Sequence, residues 1–260
     1  GMRVLVLCSG GKDSSYATWW SMMRGWEVIG IATVRITDSD SLMFQVPSTA
    51  LAGLQAASAE IPWLPIPIEG DEDTEMQLLE QALEPVVKGS RKKRSGIWSA
   101  DELDSAQWPE NWPWPERLTR LRPSEPIDGL VVGALRSDYQ KTRIEQMCHR
   151  LGIKSFCPLW HHDSISHMHD LVNHNHKIMM TSVTSDGLGE EWLGRILDQD
   201  NLQELEQLSK KYRFNIDGEG GEFETAVIDA PWMNRRIQTQ QTPHWTGRRG
   251  WLDIWAAELV

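Results

Sequence analysis

Cysteine, tyrosine, phenylalanine and positive charge are all in short supply in this sequence. Three cysteines, Cys8, Cys148 and Cys157, are too few and too scattered for a disulfide framework or a paired-cysteine zinc site, which suits a reducing cytosol. Lys and Arg number 26 against 37 Asp and Glu, a net charge of −11. That balance argues against non-specific binding to nucleic acid or to an anionic membrane, since both need a positive field. Long apolar runs are missing too. The longest uncharged stretch, residues 41–59, carries Pro47, Gln45, Gln55 and several hydroxyls and is unsuited to a bilayer. What the chain has instead is tryptophan, 14 against 4 Phe and 3 Tyr. With 260 residues, 40% of them hydrophobic, it reads as a soluble cytoplasmic protein with a sizeable core.

Apolar periodicity alternates strands with helices through the first half. Short β-branched runs at residues 4–7, 28–34, 64–68 and 130–132 read as buried strands. Amphipathic stretches at 14–24, 48–60, 72–88 and 138–151 read as helices. Such alternation predicts a parallel sheet with right-handed crossovers, covered on both faces. Residues 89–126 break the rhythm with a basic cluster (Arg91, Lys92, Lys93, Arg94) and the run WPENWPWP at 108–115. Proline at that density denies a long helix or a central strand. Two readings stay open for this insertion: a surface loop with a solvated basic tip, or a partner-docking element with exposed tryptophans. Beyond Pro158 the pattern predicts a helix at 164–173, a strand at 177–183 and helical segments over 190–212. A strand at 222–229 and a hairpin pairing 236–242 with 251–257 follow. The expected organisation is α/β: a first domain over 1–158 with an insertion at 89–126, then a smaller α+β domain over 159–260.

The sharpest chemical feature is SGGKDS, residues 9–14, between the first strand and the first helix. Gly10 and Gly11 let the backbone bend and approach a ligand closely. The amides of the following helix start form an anion site, to which Ser9, Ser14 and Ser15 add hydroxyls and Lys12 a cation. Asp13 belongs in such a site when a divalent metal bridges it to phosphate oxygens. A Walker loop is excluded because Val6 stands where its first glycine belongs, and the Rossmann glycine spacing is absent.

A second constellation, GEGGEFET at residues 218–225, opens a later strand. Period-two alternation places Glu222 and Glu224 on one face, Phe223 and Thr225 on the other. Two carboxylates delivered by a glycine turn (Gly220, Gly221) suit metal binding, amine positioning or proton transfer. A plain turn with a solvated strand face is the other reading.

SGGKDS resembles the PP-loop of the N-type ATP pyrophosphatases, which split ATP into AMP and pyrophosphate. GEGGEFET followed by AVIDAP at 226–231 is similar to the C-terminal signature of the diphthine–ammonia ligases. GALRSDYQ at 133–140 with Arg143, Glu145 and Cys148, CPLW at 157–160, and Gly187-Leu188 with WLGR at 192–195 resemble that family in the same order. The resemblance implies a Rossmann-like, HUP-type sheet that binds ATP with Mg²⁺ through Ser9, Gly10, Gly11, Lys12, Asp13, Ser14, Ser15 and Gly133. Asp13 would hold the metal through the phosphates, and Lys12, Asp13, Glu222 and Glu224 would serve catalysis. Ser137, Asp138, Tyr139, Arg143, Trp160, Gly220, Gly221, Glu222 and Thr225 would line the substrate cleft; a simple helix cap at Ser137 or Asp138, with Arg143 on the surface, is the plainer reading. The implied reaction is amidation of diphthine on elongation factor 2 with ammonium, through an acyl-adenylate, releasing AMP and pyrophosphate. Carboxylates or a Trp face suit diphthine's quaternary cation. Two rivals are a pyrophosphatase of the same family with another substrate and a non-catalytic ATP-binding module docking a protein.

The chain departs from the family at Met43-Phe44-Gln45, where a histidine is usual in place of Gln45, and in the insertion. Six of eight histidines fall between positions 161 and 176. They read as a polar surface helix in preference to a metal site. Cys8, beside an anion site, is a candidate for a lowered thiol pKa.

Overall fold

The computed structural model describes residues 1–36, 47–68, 72–89, 96–104, 107–123, 126–135 and 137–260. Gln45 and the basic cluster at 91–94 lie outside these. Five strands, β1 (Arg3–Leu7), β2 (Glu27–Ile36), β3 (Trp63–Ile68), β4 (Gly129–Val132) and β5 (Lys154–Phe156), form one sheet in the order β3-β2-β1-β4-β5. Every neighbouring pair is parallel. This is the Rossmann-like α/β arrangement, and its strand order reverses between β1 and β4, where such sheets bind ligands.

Helices α1 (Lys12–Met23) and α2 (Ser48–Ala59) cover one face, α3 (Glu72–Lys88) and α4 (Asp138–Leu151) the other. Alternation along β1 splits its residues accordingly. Val4 and Val6 join the core on the α1/α2 side, whereas Leu5 joins that on the α3/α4 side. The short β5 escapes sequence reading because Lys-Ser-Phe carries no apolar run.

The second sheet is antiparallel, ordered β7-β6-β9-β8, from β6 (Lys177–Val183), β7 (Phe223–Asp229), β8 (Ile237–Thr246) and β9 (Arg249–Leu259). Helices α5 (Ser164–Asn173) and α6 (Gln199–Tyr212) accompany it. The expected helical span over 190–212 shrinks to a 3-10 turn at Glu190–Trp192 and α6. Between them the chain runs along β6, with Gly194 N–H donating to the Met180 carbonyl at 2.8 Å and Leu197 N–H to that of Ile178 at 2.9 Å. Those bonds replace helical ones.

The described part of the insertion packs into the protein, and its tryptophans are not displayed for a partner. Trp108 and Trp112 are buried and Trp98 and Trp114 half-buried. Trp108 packs over Gly53 of α2, where a Cβ would lie 2.9 Å from its ring. Trp112 Nε1–H reaches the carbonyl of Ile254 in β9 at 3.1 Å. Proline did forbid regular structure, but burial of the indoles then decided where the segment lies.

Candidate active site

The segment after β1 folds back on the first turn of α1. Gly10 has a φ of +86°, in the left-handed region that favours glycine. A Cβ there would also lie 2.7 Å from the Leu51 side chain. Ser9 N–H donates to Ser14 Oγ at 3.2 Å, and the Ser14 hydroxyl donates to the Gly11 carbonyl at 3.3 Å. Gly11, the N-cap, contributes no side chain, so no cap of its own competes for the anion site at this helix start. Gly133, just past β4, closes the site from the neighbouring strand. A Cβ on it would sit 2.6 Å from the Asp13 carbonyl oxygen and 2.9 Å from Ser14 N, so the two strand ends approach this closely only with glycine.

Lys12 is buried and places Nζ 2.7 Å from Asp13 Oδ1. His167, from α5, sets Nε2 2.8 Å from the same oxygen. Burial works to raise the Asp13 pKa, but the Lys12 ammonium and the His167 imidazole outweigh it and hold the carboxyl well below the usual carboxylate range. An ionised carboxylate at a helix N-terminus fits Mg²⁺, which favours one or two protein carboxylates plus substrate phosphates. Among the described residues no cluster of three His, Cys, Asp or Glu could hold a metal by itself. A metal here therefore fits as an ion shared between Asp13 and phosphate oxygens. Cys8 does not have the lowered pKa expected of it: burial pushes its thiol up to about 12. Its sulfur lies 3.7 Å from Thr18 Oγ1 beneath the loop.

The glycine-rich strand docks on this loop. Lys12 N–H donates to Thr225 Oγ1 at 3.1 Å, across a separation of 213 residues. Val227 N–H donates to the Gly10 carbonyl at 2.9 Å. Gln55 of α2, buried, spans the junction: its Nε2 donates to the Gly10 carbonyl at 3.0 Å and the Val227 carbonyl at 2.8 Å. From Phe223 onward the side chains alternate, with Phe223 buried, Glu224 exposed and Thr225 turned to the loop. Glu222 precedes the strand and turns back, its Oε2 accepting from Asn215 N–H at 2.5 Å. The Gly221 carbonyl accepts from the Thr184 hydroxyl at 2.7 Å, which ties the Gly220-Gly221 turn to the end of β6.

The remaining expected residues are more dispersed. Ser137 caps α4, accepting from Gln140 N–H at 3.2 Å, with Asp138 in the first turn. Arg143 Nη1 donates to the Tyr139 hydroxyl at 2.9 Å. Arg143 lines a groove between α3 and α4 with Met76, Glu80 and Arg150, on the sheet face opposite α1. Helical phase puts 143, 146 and 150 on the α3-facing stripe, which matches the plainer expectation of a surface Arg143. Trp160 lies against His161 and, 5.6 Å from its ring centroid, Lys141 Nζ.

The expected polar surface holds for part of this histidine group: His161, His162 and His174 are exposed, but two others turn inward. His167 and His176 are buried, and His176 Nδ1 meets Ser15 Oγ at 2.9 Å. Tyr16 and Trp19 of α1 pack on four histidine rings, Tyr16 against His162 and His167 and Trp19 against His174 and His176. A signal existed in the sequence: residues 167, 168 and 171 share a helical face with apolar Met168 and Leu171, which makes His167 an inward residue.

Residues 163–260 match the diphthamide synthase C-terminal domain, and residues 2–96 with 115–155 match the diphthamide synthase N-terminal domain. The human protein named diphthine–ammonia ligase is 29% identical over 244 residues, covering 91% of this chain and 82% of its own length. Its namesake from Schizosaccharomyces pombe is 30% identical over 91% of this chain but only 36% of its own. A solved chain from Methanocaldococcus jannaschii, described as a predicted subunit of tRNA methyltransferase, covers 89% of this chain at 17% identity with a TM-score of 0.39, too loose a likeness to bear on function. With both domains matched in order and the loop and glycine-rich strand joined by hydrogen bonds, the chain belongs to the diphthamide synthase family.

Proposed function

We propose that this chain is an ATP-dependent ligase that amidates diphthine on elongation factor 2, giving diphthamide. The observation that carries the reading is the junction of SGGKDS with GEGGEFET through Thr225, Val227 and Gln55, which sets an anion site beside a glycine-rich turn. Residues 1–158 would handle ATP and residues 159–260 would face the modified histidine. The diphthine carboxylate oxygen attacks the α-phosphorus, the bond from that phosphorus to the α,β-bridging oxygen breaks, and pyrophosphate leaves. Ammonia then attacks the acyl carbon of the adenylate, AMP leaves, and the excess proton passes to solvent or a nearby carboxylate.

The amides at the start of α1 and Lys12 stabilise the negative charge of the departing pyrophosphate. When bound, Mg²⁺ supplies further charge neutralisation on the phosphates, with Asp13 as its protein ligand. Ser9, Ser14 and the main chain at Gly10, Gly11 and Gly133 shape the cradle, and Ser15 holds α1 from beneath. Glu224, exposed at the start of β7, would meet the trimethylammonium group or the incoming amine. Glu222, engaged by Asn215, sets the conformation of the turn. Ser137 and Asp138 stand at the mouth of the strand ends.

Incubating the protein with ATP, Mg²⁺, ammonium and diphthine-bearing elongation factor 2 tests the reading, by AMP release and the mass of the modified peptide. AMP formed only with the factor, together with amide formation, is the expected result. AMP formed with another acceptor, or none under any condition, overturns it. Asp13→Ala should lower AMP formation about a hundredfold or more, the cost of losing one well-placed transition-state contact, while Glu222→Ala should leave ATP binding intact.

A further inference from the structure

The sequence motif explains Asp13 but says nothing of what surrounds it. Asp13 Oδ1 receives two donors, Lys12 Nζ at 2.7 Å and His167 Nε2 at 2.8 Å. Oδ2 has no hydrogen-bond partner among the described residues, and the Asp13 side chain is 28% exposed. One oxygen is anchored and the other faces outward. His167 is held in turn by its surroundings: its side chain is 3% exposed and its ring meets Tyr16 edge-on, centroids 4.9 Å apart at 86°. An Nε2 facing a carboxylate oxygen at this distance carries the hydrogen and donates it. The donor comes from α5, in the C-terminal domain, while the carboxylate belongs to the N-terminal one.

We propose that His167 is a positioning residue for Asp13, fixing one carboxylate oxygen so that the other is presented to a divalent cation on the bound nucleotide. Lys12 alone cannot do this as well. Its ammonium sits on a flexible stem, whereas an imidazole locked against Tyr16 defines a single direction. Carboxylate ligands of metals depend on such partners, whose removal typically lowers metal affinity about 10- to 100-fold. His167 acts through Asp13.

The inference rests on the proposal that the loop binds Mg²⁺ with ATP, so the test separates the two. Binding of ATP to the full chain is measured by titration calorimetry with Mg²⁺ and with EDTA, for the wild type, His167→Phe and His167→Gln. Phenylalanine keeps a ring against Tyr16 and removes the donor; glutamine keeps a donor at similar reach. The expected result is about a tenfold loss of Mg²⁺-dependent affinity in His167→Phe, unchanged affinity in EDTA, and at least partial recovery in His167→Gln. In an Asp13→Ala background, His167→Phe should have no further effect. A wild type that binds no ATP overturns the loop assignment itself. A wild type that binds with Mg²⁺ dependence equal to that of His167→Phe overturns only the role of His167. Equal losses with and without Mg²⁺, or in the Asp13→Ala background, assign the residue to packing and also overturn the proposal. Should His167→Phe fail to fold, the Mg²⁺ titration of His167→Gln against His167→Asn, whose shorter amide cannot reach Oδ1, decides in its place.

Discussion

At the scale of single residues, the site is defined by which polar groups are buried with partners and which are not. Ser15 illustrates this. Its hydroxyl accepts from Trp232 Nε1 at 2.9 Å and stands 2.9 Å from His176 Nδ1. Burial pushes the His176 pKa down to about 4 from its usual 6.5, and neighbouring His174 and His167 act in the same direction. Between those two values the unfolded chain binds a proton that the folded chain excludes. Stability is therefore complete above about pH 6.5 and is lost as pH falls toward 4. Linkage over that interval amounts to about 2 kcal/mol between pH 7.5 and pH 5. Asp13, depressed instead, supports the fold above the ordinary carboxylate range and loses that support only below it, so the windows are separate. Urea unfolding at the two pH values should show the loss in the wild type and a much smaller one in His176→Phe. Equal losses in both would place the acid sensitivity on another group.

At the scale of elements, the decisive contact is β7 against the loop after β1. Regular periodicity made most of the elements legible: α4 (Asp138–Leu151), α5 and β6 follow from their apolar spacing and caps, with Ser137 and Asp163 each accepting an amide of the first turn. Asp13 and Thr225 were legible as motif members, but not that one strand lies on the other's loop, because that contact spans the chain and has no local signature. Gln55 was invisible for the opposite reason. In an alanine-rich helix it reads as a surface residue, and only the two carbonyls it serves, of Gly10 and Val227, explain a buried amide there. Gln55→Leu should cost about 1–3 kcal/mol through the carbonyl left without a donor. Because one of its partners is in the phosphate loop, ATP affinity measured by calorimetry should fall several-fold as well. Lost stability with unchanged affinity would mean that the loop keeps its shape without Gln55.

At the scale of the whole molecule, the two sheets share one core, and the insertion is part of it. A single cluster of buried side chains runs from Val4 and Val6 through α2 and the tryptophans to Phe223, Ala226 and Ile254. All four insertion indoles donate to carbonyls: Trp98 to Trp63, Trp108 to Trp112, Trp114 to Trp98, and Trp112 to Ile254 across the boundary between the sheets. Local sequence showed the prolines that exclude helix and strand; it could not show those acceptors, since they are backbone groups supplied by the fold. The excess of tryptophan over phenylalanine thus has a physical use, as each ring fills volume and also satisfies a buried carbonyl. It follows that removing the insertion would not isolate a docking function but open the core. Trp112→Ala should destabilise the protein by about 3–5 kcal/mol, the range for truncating a large buried aromatic. Trp112→Phe should cost less, chiefly the hydrogen bond to Ile254 and some volume. Both are measurable by urea unfolding of the full chain, with ATP affinity followed in parallel under conditions where each variant remains folded. The expected pattern is a large loss of stability in the alanine variant, a smaller one in the phenylalanine variant, and ATP affinity near that of the wild type in both, since Trp112 braces β9 and not the phosphate loop. A loss below about 1 kcal/mol in Trp112→Ala, the scale of a surface change, would show the insertion to be a cover over a core that is complete without it.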